Sequence, residues 1–509
     1  MNFLALPVLI PLVSGALLLL LRRPMVRTVS SGVVAAVTFF VNASIAVRTW
    51  SGEVLTAQMA DWPAPYGITL VADGLTGMML FLSGLTGFLT VLFAGISLQQ
   101  PSRRGQGPLL NRAREAFGSQ ALFQFLFMGV NMSFLTGDVF NLFVAFEVML
   151  VASYGLLLIG GELPQLREGF KYVIVNLVAS AIFVVAAGFA YGLFGSLNMA
   201  DIAVRLSASG ADPRVAVVAA MLALVFATKA ALFPFGFWLP NAYPVPQAAT
   251  SAFFAALLTK VGAYALIRCF TLMFPAEAEL KMTILAFAGL TLLIGGFGAV
   301  SRRRWRHMLA FANVASIGYV VMGAFIGTVT GMSAALYYLV HSVLVVFALF
   351  LLAAIAERIA GESYRAEGHL DVYPWLGAGF FLASLALAGI PPTSGFIGKF
   401  ALISSLFEAG GSLRFMVAGS AVLTSFLLLY ACVKVWRDFF WGEADAVHRI
   451  SLPRSMSMIT GLGVGLLIVL TLASGPVYRL AEGVAGQLTE NRSYLESVLV
   501  GALLVGEGD

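Results

Sequence analysis

The sequence predicts an all-α integral membrane protein of about 14 transmembrane helices, with two inverted five-helix repeats and broken seventh and twelfth helices. Three observations lead there. Of 509 residues, 60% are hydrophobic and only 11% charged, against roughly a quarter charged in ordinary soluble domains. Apolar runs of about 20 residues recur along the chain, each long enough to cross the hydrocarbon core as a helix. Lys and Arg also gather in alternate loops between those runs, the pattern that membrane topology imposes.

The first run, 3–21, has no charged leader, contains Pro7 and Pro11, and is followed by Arg22 and Arg23 without a small-residue cleavage site. It reads as a retained helix rather than a signal peptide. The runs 29–47, 74–97, 118–136, 138–160, 170–194 and 214–239 follow, then 246–272, 282–300, 307–328, 331–356, an interrupted 372–408, 415–440 and 455–475. They group into N-terminal helices within 1–110, one repeat over 118–273, a second over 281–441, and a last helix with a C-terminal tail over 442–509.

Loops after the odd-numbered runs, with their flanking helix ends, hold 19 of the 30 Lys and Arg; the opposite face, counting Arg268 at a helix end, holds 8. The positive-inside rule then puts basic loops such as Arg302, Arg303, Arg304 and Arg306 in the cytoplasm, and both termini on the outer side of the cell membrane. The net charge of +5 forms no basic face, so nucleic acid is not an expected partner. Cys269 and Cys432 both lie in apolar runs, which leaves no disulfide framework, metal pattern or iron–sulfur set. No nucleotide loop or nucleophile constellation is present either. Gly295 to Gly298 reads as helix packing, and the expectation is a transporter subunit without a cofactor, a metal or an enzymatic site.

Three lysines escape the topological pattern. Lys229, Lys260 and Lys399 lie well inside apolar runs, and Glu147 sits nine residues past Asp138, close to mid-depth at 1.5 Å per residue. His341 falls in the first half of its run. An ionised group at the centre of a membrane helix costs on the order of 2.5–3.5 kcal/mol on insertion scales, so such groups mark ion paths by default. Snorkelling to the interface is the competing reading for a lysine, and a structural Lys–Glu lock is the competing reading for Glu147. Three lysines cannot all pair with one acid, however. A lone His341 would equally serve as a satisfied core residue.

Prolines place breaks beside two of these lysines. Pro234 and Pro240 follow Lys229, and Pro391-Pro392 with Gly395 and Gly398 precede Lys399. A broken membrane helix frees carbonyls that only protein or water can satisfy, so it lines a cavity. The two broken runs are five apart, and an odd offset inverts the second copy. Ala152, Ser153, Gly155 and Gly160 recur at one offset as Ala315, Ser316, Gly318 and Gly323, consistent with that duplication or with coincidence in a Gly/Ala-rich chain.

Several segments in order then resemble a known family: GDVFNLFVAFEVMLVASY (Gly137 to Tyr154), FKYVIVNLVASAIF (Phe170 to Phe183), GSLNMADI (Gly195 to Ile202), TKAALFPFGFWLP (Thr228 to Pro240), LLTKVGAYAL (Leu257 to Leu266) and GIPPTSGFIGKF (Gly389 to Phe400). They are similar to the antiporter-like subunits shared by Mrp-type cation/proton antiporters, membrane-bound hydrogenases and respiratory complex I. The first and third look most like MrpD-type subunits. The resemblance spans roughly residues 70 to 440.

That resemblance implies a proton-transfer axis. Glu147 and Lys229 would form the coupled pair near one half-channel, Lys260 the central relay, and Lys399 the terminus, with His341 at the family's histidine position. Asp73, in the ADGLTG turn, matches a recurrent family acid, with a structural role preferred; Asp138 is a further secondary candidate. Relatives commonly carry a lysine where this chain has Val346, so the link from Lys260 to Lys399 would lean on His341, Tyr338, Ser342 and water. The implied function is the proton-conducting subunit of a multisubunit monovalent cation/proton antiporter, with sodium as the expected cation and other antiporter subunits as partners. The alternatives are an energy-converting subunit of a redox complex and a structural scaffold.

Overall fold

The computed structural model describes residues 3–98, 118–208, 212–360, 369–441 and 452–506. The basic residues expected in the loop between 98 and 118 lie outside the described residues.

Helices occupy every apolar run. They are α1 (Leu6–Leu20), α2 (Pro24–Trp50), α3 (Gly74–Leu98), α4 (Ser119–Leu135), α5 (Val139–Leu158), α6 (Leu163–Phe194), α7 (Pro213–Ala230), α8 (Ala248–Met273), α9 (Ala278–Ser301), α10 (Trp305–Ala324) and α11 (Val329–Ala360). Then come α12 (Pro374–Ala388), α13 (Ser394–Ala409), α14 (Ser412–Val435), α15 (Arg454–Leu472), α16 (Ser474–Glu490) and α17 (Arg492–Gly506). Among the described residues, 12 helices are long and apolar enough to cross a membrane. The 17-residue α4 and the pair α12 and α13, which divide the interrupted run, are shorter helices.

One element was not expected. An antiparallel hairpin, β1 (Leu55–Gln58) and β2 (Thr69–Ala72), pairs Leu55 with Ala72 and Gln58 with Thr69. Single bridges extend it, Leu70 to Thr136 and Asp138 to Asn198. The turns entering α3 and α5 are thereby stitched together at one end of the bundle, where their backbone groups would otherwise lack partners.

The helices differ sharply in burial, and that locates the core. The candidate span in α11 is 94% buried and that in α8 is 100% buried, whereas α2 and α6 expose most of theirs. Helices that bury their whole circumference need small contacts somewhere. Gly262 of α8 lies so close to α7 that a Cβ there would stand 2.5 Å from the Ala230 nitrogen. This close approach brings Lys229 and Lys260 onto neighbouring helices in van der Waals contact. The expected packing role of the 295–298 glycines holds too: Gly295 abuts Ala315, and Gly298 abuts Phe311.

Both proline-marked breaks are present. α7 stops at Ala230, and Ala231 takes a left-handed conformation before a short 3-10 turn over Phe235–Trp238. α12 ends at Ala388, Gly389 adopts φ +82°, and α13 starts at Ser394. A third irregularity carries no proline: α8 passes through π-helical stretches at Phe254–Leu258 and Cys269–Met273, a register shift often found at functional sites.

Candidate functional site: a buried polar axis

The three lysines do not snorkel. Lys229, Lys260 and Lys399 are 3%, 0% and 4% exposed, and His341 is 0% exposed. Burial this complete requires hydrogen-bond partners for each ammonium, and those partners define the site.

Glu147, half-buried on α5, and Lys229 on α7 meet through a third residue on α6. The Ser180 hydroxyl donates to the Glu147 carboxylate, and the Lys229 ammonium donates to the same Ser180 oxygen at 3.1 Å and to the Asn176 carbonyl at 3.3 Å. Asn176 and Ser180 stand one turn apart, so a single face of α6 serves both contacts. Beside Lys229 lies a cavity of about 10 Å³ lined by Tyr172, Asn176, Tyr243 and Leu258, at the lower limit for one water.

Lys260 has no carboxylate partner among the described residues. Its ammonium donates to Asn313 Oδ1 on α10 at 2.6 Å and to the Ala255 carbonyl, inside the first π stretch, at 2.9 Å. Lys399 exploits the neighbouring break directly, donating to the Leu387 and Ala388 carbonyls that end α12, at 2.8 and 3.0 Å, and to Ser425 Oγ at 3.1 Å. It also sits 4.6 Å from the Tyr319 ring centroid. The two lysines beside breaks therefore use them differently, since Lys229 reaches across to α6.

Between Lys260 and Lys399 the structure supplies His341 and Tyr338. His341 Nδ1 shares a hydrogen bond of 3.0 Å with Ser394 Oγ, the first residue of α13. Its Nε2 and the Tyr338 hydroxyl are buried and make no hydrogen bond of ordinary geometry among the described residues, with the Ala386 backbone and the Ser316 side chain near them, and their rings lie 5.4 Å apart. Ser342 donates to Leu339 of its own helix. Val346 is buried and offers no polar atom at that position of α11.

Asp73 and Asp138 each lie in a local hydrogen-bond network at the start of a helix. Asp73 forms a two-pronged ion pair with Arg268, both contacts 2.7 Å, and accepts from the Thr76 backbone at 3.0 Å. Burial alone would raise its carboxyl, but the guanidinium outweighs it and holds the group below the usual carboxylate range. Arg268, read as a charge at a helix end, is 3% exposed and packs 5.1 Å from the Tyr494 ring of α17. Asp138 caps α5 by accepting from Asn141 N at 2.7 Å, and burial raises its carboxyl.

Asn176, Ser180, Asn313, Ser394 and Ser425 were not among the residues expected from sequence. Only the first two carried a local signal, a pair of polar residues at helical spacing in an otherwise apolar run.

A multi-helix membrane protein with buried lysines held by neutral oxygens at broken and irregular helices is the class that fold and site define. Residues 136–428 match the family described as NADH:quinone oxidoreductase/Mrp antiporter, TM, and the chain belongs to that family. It is 38% identical over 505 residues to the D-type Na(+)/H(+) antiporter subunit of Alkalihalophilus pseudofirmus, covering 98% of this chain and 99% of that one. It is 34% identical to the protein of the same name from Bacillus subtilis, at 98% and 99% coverage. Among solved structures, a chain of the Mrp complex from a Dietzia species superposes with a TM-score of 0.88 at 27% identity, covering 98% of this chain and all of that one.

Proposed function

We propose that this chain is the proton-conducting subunit of a multisubunit monovalent cation/proton antiporter in the cell membrane, and that protons move along Glu147, Lys229, Lys260, His341 and Lys399. One observation carries the reading: among the described residues, none of the three buried ammoniums makes a direct ion pair with a carboxylate. Neutral oxygens accept from a charged amine or a neutral one, so each lysine can lose and regain its proton without stranding an opposite charge, Lys399 giving up one of its three hydrogen bonds in its neutral form. The D-type antiporter relatives and the match to an Mrp complex chain support sodium as the cation and other antiporter subunits as partners.

Each protein group has a stated job in this scheme. The Ser180 hydroxyl couples the Glu147 carboxylate to the Lys229 ammonium. A charge pair 4 Å apart at an effective dielectric of 20 interacts by roughly 4 kcal/mol, so movement of the Glu147 carboxylate away from Lys229 favours release of the Lys229 proton. The water-sized cavity between Tyr243 and Leu258 leads it toward α8. Asn313 holds Lys260 in place, and the buried Tyr338 hydroxyl and His341 Nε2 offer the next hydrogen-bonding atoms before Lys399.

Lys229→Ala and Glu147→Ala should abolish antiport in everted vesicles while the complex still assembles. Wild-type transport in both would overturn the scheme. The family description also includes NADH:quinone oxidoreductase, which supports a second reading as a pump driven by redox partners. Purification of the intact complex decides between them, because redox subunits would travel with the chain only in that case.

A further inference from the structure

The two helix breaks beside the axis are closed by the same chemistry. In an unbroken α7 the Phe233 N–H would bond the Lys229 carbonyl four residues back. It donates instead to Thr291 Oγ1 of α9 at 2.9 Å. At the second break the Ser394 N–H, one of the orphan donors that open α13, goes to Thr471 Oγ1 of α15 at 3.1 Å. Each threonine comes from the apolar run two beyond the broken one, and the two arrangements lie five runs apart.

Both hydroxyls are turned the same way. Thr291 spends its hydrogen on the Phe287 carbonyl at 2.6 Å, and Thr471 spends its own on the Leu467 carbonyl at 2.7 Å, each one turn back along its helix. With the hydrogen committed, the oxygen faces the break purely as an acceptor. Thr38, Thr90 and Thr460 make the same backward bond, yet among the described residues none of them accepts a backbone N–H from another helix. Thr291 is also 0% exposed, so bulk water does not stand in for its oxygen.

We infer that Thr291 and Thr471 are positioning residues of the proton axis, each pinning one helix break and through it one end of the axis. Thr291 holds the backbone four residues beyond Lys229, and Trp238 closes the same turn by donating from Nε1 to the Thr228 carbonyl at 3.2 Å. Lys229 is thereby fixed between two held points, within reach of Ser180. Thr471 holds Ser394, whose hydroxyl is the group that meets His341 Nδ1 at 3.0 Å. Lys399 follows on the same helix. A broken membrane helix needs some acceptor for its freed backbone groups. Here the acceptors sit on α9 and α15, which carry no residue of the axis and set its geometry from outside.

The inference rests on the proton-axis reading above, and the test separates the two. Thr291→Val and Thr471→Val keep the branched shape and remove the acceptor, whereas Thr291→Ser and Thr471→Ser retain it. In everted vesicles carrying the complete complex, each Val variant should lower the antiport rate about tenfold or more, the loss expected when a buried donor is left unpaired. Each should also move the pH of half-maximal antiport by about half a unit or more, because the break places a titrating group. Both Ser variants should stay close to wild type. The pH shift is the readout that a merely structural threonine does not give. Wild-type rates in the Val variants, or rates that fall only with the amount of assembled complex at an unchanged pH profile, overturn the positioning role. Where a Val variant fails to assemble, Thr291→Cys or Thr471→Cys, with sulfur as a weak acceptor, is judged by the same two criteria. Wild-type antiport in both Lys229→Ala and Glu147→Ala overturns the axis itself instead.

Discussion

Glu147 and Lys229 meet only through the Ser180 hydroxyl, which donates to the carboxylate and accepts from the ammonium. An acid and a base that touch directly would hold each other charged. A rotatable hydroxyl between them makes the coupling adjustable at the cost of one torsion.

Removal of that hydroxyl should weaken transport without dismantling the bundle. A hydrogen bond to a charged group contributes about 1.5–3 kcal/mol, so Ser180→Ala is expected to lower the antiport rate by roughly ten- to a hundredfold, with Ser180→Thr close to wild type. Equal rates in Ala and Thr variants would show that the bridge is idle.

Asn313 presents a neutral oxygen to Lys260 at 2.6 Å. Asn313→Asp replaces it with a charge of similar shape, and the attraction at this distance, several kcal/mol by the same Coulomb argument, should keep the proton on Lys260. Antiport is expected to fall at least tenfold and to recover in part at more alkaline pH. A pH–rate profile identical to wild type contradicts the relay role of Lys260.

Arg268→Ala strands the Asp73 carboxylate in a buried site, a loss of about 3–5 kcal/mol for such a pair. The complex should express poorly, and Asp73→Asn added to Arg268→Ala should restore part of the level. Because Asp73 is held below its ordinary range, its ionised form stabilises the fold above the unfolded carboxylate range, and that contribution is lost only as pH falls through the depressed value. Melting temperature should therefore show no pH dependence from this pair between neutral and mildly alkaline pH.

Gly262→Ala tests the contact between α7 and α8. A methyl group 2.5 Å from the Ala230 nitrogen must push the helices apart, with overpacking costs of about 1–3 kcal/mol. The purified complex should melt several degrees lower and transport more slowly, because the separation falls between Lys229 and Lys260. An unchanged melting temperature would mean that the helices yield freely there.

Much of this molecule was legible from order alone. The apolar runs identified the helices, because a chain in lipid must satisfy its backbone within each segment. The prolines beside Lys229 and Lys399 marked real breaks, where a missing N–H leaves a gap in the helical hydrogen-bond ladder. The partner of Arg268 stayed hidden because a guanidinium near a helix end looks like an interfacial charge, and nothing local reveals a carboxylate 195 positions away. The hairpin escaped notice because its two strands are four residues each, too short for alternation to stand out.

By itself, then, the sequence determined the solvent this protein lives in, the helices that cross it, and five titratable residues too costly to bury without purpose. Tertiary structure alone decided their partners. Ser180, Asn313 and Ser425 are ordinary polar residues in sequence, and they become ammonium acceptors only when α6, α10 and α14 bring them to the lysines. A hydrogen bond depends on distance and direction between groups far apart along the chain, and only packing sets those.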